Sequence, residues 1–184
     1  MSRSLAVRRQ ADAYYTEDAL ARALVSLLPI GGGTTVWEPH AGGGAFVKAL
    51  AAQGAYVVAS DITSSEWSGA SHYFEADFLS LEPDPARDTI PWIVGNPPFR
   101  GFEQHVDQAL RFAENVVFLL RLAAMESAAR APFWERWPLR KVWVLAERPS
   151  FTGGGTDSAA YGFFHFSKGW GGPAEVVPGW RWKV

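Results

Sequence analysis

The residues of this chain best suited to chemistry are Asn96, Pro97, Pro98 and Phe99, contiguous after an apolar run at residues 91–94. Two prolines stiffen the turn and remove two backbone donors, leaving carbonyls and the Asn96 side-chain oxygen as acceptors. Such a turn accepts hydrogen bonds, and Phe99 beside it can stack on a planar group. A second candidate is Glu38-Pro39-His40-Ala41-Gly42-Gly43-Gly44, between a strand pattern and a helix pattern. Its small residues let a ligand approach the backbone, and the following helix start offers unpaired N–H groups. Asp61, nineteen residues after Gly42 and with Ile62 beside it, ends the next apolar run; a carboxylate there can accept both hydroxyl protons of a ribose. Asp77 and Phe78 repeat that logic, the carboxylate accepting from an amino group while the ring packs on a base.

Other readings of the glycine turn are excluded by residue type. It is not a P-loop, because no glycine precedes Lys48 and no Ser or Thr follows it; Val47 stands where a dinucleotide fingerprint needs a third small residue. Glu103, His105 and Asp107 share a helix pattern at spacings that scatter them around it, so no metal site is expected. His40, His72 and His165 read as single structural histidines. A glycine-rich stretch at residues 153–157 reads equally as a plain hairpin connection or a lip over a target group.

These residues need a scaffold that puts strand ends side by side. The spacing predicts a helix from residue 17 with Thr16 as N-cap, then strands over 34–38, 56–62, 72–76, 91–94 and 115–122, with helices after the first and fourth. Residues 123–137 read as a helix ended by Pro138, and 141–146 and 159–166 as two strands joined without one. Strands alternating with helices imply an α/β, doubly wound sheet, seven-stranded and mixed, ending in an antiparallel hairpin, with candidate residues at the carboxyl ends of its strands. The 184 residues read as a single domain, 1–184.

Composition narrows the function classes. Hydrophobic residues at 48% and charged residues at 20% fit a globular core. A net charge of −2 gives no bulk argument for a polyanionic partner, so a basic face must be local. Arginine outnumbers lysine thirteen to four, which suits phosphate forks, and Arg3, Arg8 and Arg9 read as a solvated terminus. The absence of cysteine excludes thiolate metal sites, disulfides and a cysteine nucleophile. No apolar run reaches membrane-spanning length and the N-terminus lacks a secretory pattern, so a cytoplasmic protein without a membrane partner is expected.

VWEPHAGGG, VVASDI, ADF and IVGNPPF in that order, preceded by AYYT, resemble S-adenosylmethionine-dependent amino-methyltransferases, in particular the DNA adenine-N6 type. The resemblance covers nearly the whole chain and implies a Rossmann-like class I methyltransferase fold with S-adenosylmethionine as cofactor. It implies that Tyr15, Thr16, Glu38, Ala41, Gly42, Gly44, Asp61, Ile62, Asp77, Phe78 and Asn96 contact the cofactor, and that Asn96, Pro97, Pro98 and Phe99 are catalytic. In the family the Tyr-Thr pair is usually followed by proline; here Glu17 stands instead. Acceptors at Asn96 and the Pro97 carbonyl would hold both protons of an adenine amine while Phe99 stacks on the base, flipped out if the substrate is a duplex. The implied partner is nucleic acid, most simply DNA. A separate target-recognition domain is not expected, so short loops, a tail with Trp170, Trp180 and Trp182, a specificity partner or a homo-oligomer would read the site. The same motif also serves methylation of RNA adenines and protein glutamines, and a non-catalytic cofactor-binding subunit is a further reading.

Overall fold

The computed structural model describes residues 15–63, 67, 69–84, 89–151 and 158–183. The elements run α1 (Asp18–Val25), β1 (Thr35–Glu38), α2 (Ala45–Ala52), β2 (Tyr56–Asp61), β3 (His72–Glu75), β4 (Ile90–Gly95), α3 (Phe102–Phe112), β5 (Ala113–Arg121), α4 (Ala131–Arg136), β6 (Leu139–Leu145), β7 (Tyr161–Ser167) and β8 (Glu175–Trp180). One sheet takes the eight strands in the order β3-β2-β1-β4-β5-β7-β6-β8. Strands β1 to β5 pair in parallel, and β7 runs antiparallel to both β5 and β6.

The alternation of β-strand side chains builds two cores from one set of strands. In β5, Val117 and Leu119 face the layer of α1 and α2, where Leu20, Leu24, Phe46 and Leu50 are buried. Val116, Phe118 and Leu120 face the opposite layer, where Phe102, Val106 and Leu110 of α3 pack with Trp37, Phe164 and Phe166. Both faces of the sheet are thus covered, as a mainly parallel sheet requires.

Three expectations change. The sheet has eight strands, because residues 175–180 pair in parallel with β6 through Lys141↔Glu175 to Leu145↔Trp180; Pro178 and Gly179 hid the strand, and an edge position tolerates them. Residues 123–137 are not one helix but two 3-10 turns, Leu122–Met125 and Ala128–Arg130, followed by the short α4. Ser127 breaks the run with φ 94°, and Pro132 starts α4 at its first turn. The N-cap of α1 is Glu17 rather than Thr16, and the Glu17 carboxylate accepts from the Ser150 amide at 2.7 Å. Residues 153–157 and Arg3, Arg8 and Arg9 lie outside the described residues.

The strand order reverses at β1, whose neighbours are β2 and β4. At this reversal the Glu38 side chain, 1% exposed, lies directly over Gly95 of β4. A Cβ on Gly95 would sit 2.2 Å from Glu38 Oε1. Gly95→Ala should therefore destabilise the protein by about 1–3 kcal/mol or more, as overpacking does. Chemical denaturation of Gly95→Ala, Glu38→Ala and the double variant checks this: the double variant should lose less than the two single losses added together.

Candidate functional site

The reversal leaves a crevice at the carboxyl edge between the loop after β1 and the turn after β4. Backbone hydrogen bonds hold the loop in shape: Ala41 N donates to Ser60 O of β2 at 3.0 Å, and Gly44 N to Ala41 O within the loop at 2.7 Å. Gly44, with φ 77°, turns the chain into α2, and a Cβ there would meet Trp67 at 2.8 Å. The Trp67 indole N–H donates to the Gly42 carbonyl at 2.8 Å, fastening the loop from outside. The Gly42 amide donates to Asp61 Oδ2 at 2.9 Å, so the end of β2 is tied to the same loop. Thr63 also donates to the Asp61 carboxylate, through its amide at 3.3 Å and its hydroxyl at 3.4 Å.

Tyr15, Thr16, His40, Ala41, Gly42, Gly43, Ala45, Phe46 and Asn96 line one small cavity. The Tyr15 ring lies over the glycines; a Cβ on Gly42 would be 3.1 Å from its Cδ1. The cavity therefore joins residues from four separate stretches: the segment before α1, the glycine loop, the start of α2 and the turn after β4. The first amides of α2 have no partners inside the helix, which suits a carboxylate nearby. Glu38 stands just behind the wall, its Oε1 accepting from the His40 amide at 3.0 Å. Burial pushes the Glu38 carboxyl well above the usual range, and Asp61 adds to the shift.

Along the same edge Pro97 is buried, Pro98 exposed and Phe99 half-buried. The Phe99 ring packs against Tyr161 at 5.3 Å and Phe151 at 5.9 Å, and the Arg121 guanidinium lies 5.1 Å from its centre. Arg121 is held in turn by the Tyr161 hydroxyl at 3.2 Å. At the β2 and β3 ends, Ile62 is 41% exposed and Asp77 caps the 3-10 turn Phe78–Ser80 by accepting from the Leu79 amide.

Phe78 departs from expectation. It is 2% exposed, with its ring edge-on to Trp37 at 5.2 Å and stacked on His105 at 6.2 Å, so it fills the core instead of offering a face to a base. Its backbone is anchored by Gln108, whose side-chain N–H groups donate to the carbonyls of Phe78 and Leu81. Of the tail tryptophans, Trp182 is buried with its N–H on the Glu147 carbonyl, Trp180 packs on Phe163, and Trp170 stands beyond β7 at the opposite edge.

His40 and His105, read singly as a structural residue and a helix-margin residue, form a pair. His40 Nε2 and His105 Nδ1 are 2.9 Å apart, under Phe78 and Phe118. Their sequence separation of 65 hides the contact, and only the seating of α3 under the glycine loop makes it. The neighbours of His105 diverge: Glu103 accepts from Arg130, and Asp107 from the Trp137 indole. His40 Nδ1 is buried and has no hydrogen-bond partner among the described residues. Burial holds His40 well below its usual range and lowers His105 to about 4, so the pair is neutral at pH 7.

No protein-family model matches the chain, and no curated protein matches it. Solved structures do. The chain is similar, at 15% identity and TM-score 0.67, to a protein from Vibrio vulnificus assigned as the modification subunit of a type I restriction enzyme, covering 93% of this chain and 48% of that one. It is similar to the 23S rRNA methyltransferase ErmE at 17% identity and TM-score 0.60, over 84% of this chain and 68% of the other. A protein from Pyrococcus horikoshii assigned as an RNA methyltransferase matches at 15% identity and TM-score 0.59, over 81% of each chain. The fold is accordingly the Rossmann-like fold of class I methyltransferases.

The histidine pair has a measurable consequence. An unfolded chain protonates these side chains near pH 6.5, whereas the folded one resists until about pH 4 at His105. The unfolded state thus binds more protons within this window, so the stability present above pH 6.5 is lost as pH falls through it. Melting temperature should drop on acidification from neutral pH, and His105→Gln should flatten that drop; an unchanged slope in the variant would show that His105 is not its source.

Proposed function

We propose that this protein transfers a methyl group from S-adenosylmethionine to the exocyclic N6 amine of adenine in DNA. The observation that carries the reading is that Asn96 and the glycine loop, far apart in sequence, border one cavity together with Tyr15 and Thr16. The residues present fit the cofactor: His40, whose buried Nδ1 has no partner among the described residues, is one of the cavity's lining residues, a Cβ at Gly42 or Gly44 would be crowded, and Asp61 stands at the end of β2. S-adenosylmethionine, when bound, supplies an electrophilic methyl on a sulfonium.

Asp61, oriented by the Gly42 amide, would accept from the ribose hydroxyls, with Ile62 and Asp77 bordering the adenine end and Tyr15, Thr16, Ala41, Gly42 and Gly44 the methionine end. Glu38 acts one step behind, holding the His40 amide and the spacing between β1 and β4. The acceptor amine is a poor nucleophile because its lone pair is delocalised into the ring. Asn96 Oδ1 and the Pro97 carbonyl would accept its two protons and favour a pyramidal nitrogen whose lone pair is available for attack. Pro98 stiffens the turn so that these acceptors need not reorganise. Phe99, braced by Tyr161 and Phe151, would present its ring to the base. The similar structures named for a restriction-modification subunit and for RNA methylation support nucleic acid as the acceptor class.

Two measurements test the reading. Calorimetric titration with S-adenosylmethionine and its demethylated product should give binding that Asp61→Ala weakens by about 1–3 kcal/mol, because two hydroxyls lose a charged acceptor. Single-turnover transfer to adenine-containing DNA at matched cofactor occupancy should fall by about 3 kcal/mol of transition-state stabilisation in Asn96→Ala, with cofactor affinity nearly unchanged. Methylation of RNA adenine or of a glutamine peptide, but not of DNA, would move the acceptor; wild-type rates in Asn96→Ala would remove the mechanism.

A further inference from the structure

Charge is sorted along the carboxyl edge in a way that net composition hides. At the β2 and β3 ends stand Asp61, Glu75 and Asp77. From the β4 end outward the edge carries Arg100 after the turn, Arg121 at the end of β5, Arg148 after β6, and Arg181 and Lys183 after β8. Because β6 and β8 run parallel to each other and β7 antiparallel to β5 and β6, all of these positions face the same edge. The Ala146 amide donates to the Trp180 carbonyl at 2.9 Å, which fixes Arg181 beside the segment that bears Arg148.

Among the described residues, five of the eight basic side chains elsewhere are paired: Lys48 with Asp18, Arg111 with Glu82, Arg130 with Glu103, Arg136 with Asp107 and Lys141 with Glu175. Arg100, Arg148, Arg181 and Lys183 are exposed, and none has a carboxylate partner among the described residues. The acidic exceptions nearby are muted: Glu17 is occupied by the Ser150 amide, Glu147 turns one oxygen into the interior, and Glu126 lies past the 3-10 turn that follows β5. Arg121, drawn in over Phe99, connects the row to the proposed target pocket.

We infer that Arg100, Arg148, Arg181 and Lys183 form a track for the phosphodiester backbone of a nucleic acid, leading from the Asn96 turn to the β8 edge. The inference rests on the adenine reading and extends it, placing substrate grip on the methyltransferase domain itself. From β4 to β8 the track crosses four strand spacings, about 19 Å, which matches the axial rise of roughly five nucleotides. Unpaired cations on one side and carboxylates on the other steer a polyanion across the acceptor half and away from the cofactor half. A basic or neutral peptide gains nothing from this arrangement.

Fluorescence anisotropy with short fluorescein-labelled DNA and RNA strands of one sequence, titrated across salt in the presence of the demethylated cofactor product, tests the track. The triple variant Arg100→Gln/Arg148→Gln/Arg181→Gln should bind about tenfold or more weakly at low salt and lower the slope of log affinity against log salt by about two. Its affinity for the cofactor product should equal wild type, which also reports intact folding. The control Arg22→Gln/Arg140→Gln/Lys168→Gln removes equal charge away from this edge and should leave strand binding unchanged. The arm bound more tightly identifies DNA or RNA as the source of the phosphates. Wild-type strand affinity in the triple variant, or equal losses in both triple variants, overturns the track while adenine transfer by wild type keeps the reaction. Track-dependent binding without adenine transfer upholds the track and removes the reaction instead.

Discussion

The contact of the Glu38 carboxyl with Gly95 is the constraint on which the site depends. β1 is the strand at which the sheet changes direction, and its last side chain must be accommodated between the ends of β1 and β4. Only a residue without a side chain at 95 lets that carboxyl lie down, and the carboxyl in turn receives the His40 amide. The glycine loop and the Asn96 turn are thereby brought within one cavity's width. Burial pushes the Glu38 carboxyl well above the usual carboxylate range, because a charge there would be costly to desolvate.

From this seat the two halves of the edge diverge. Toward β3 the groups are acceptors: Asp61 tied to Gly42, and Asp77 capping its own turn. Toward β8 they are cations and aromatic rings, with Phe99 among Tyr161, Phe151 and Arg121. A small ligand rich in hydroxyl and amino groups suits the first half, and a planar group on an anionic chain suits the second. The Glu17–Ser150 hydrogen bond joins them, since it fastens the segment beside Tyr15 and Thr16 to the stretch that carries Phe151. A proline at 17 could not make that bond, so the side chain of Glu17 links the two halves here.

The sequence by itself determined what is local. Strand–turn–helix alternation, the glycine loop, the Asn-Pro-Pro-Phe turn and the carboxylate at the end of β2 are all readable from residue types at short spacing, because backbone stiffness, side-chain alternation and helix starts are local properties. Seven strands were legible for the same reason; the eighth was not, because Pro178 and Gly179 speak against a strand until β6 offers them an edge. Tertiary structure alone decided which distant groups meet. His40 finds His105 across 65 residues, the Phe78 ring turns into the core against Trp37, and Glu17 reaches Ser150 across 133 residues. The sorting of cations along one edge belongs to the same category: a net charge of −2 carries no information about position, and only the strand order places Arg100, Arg148 and Arg181 in a row.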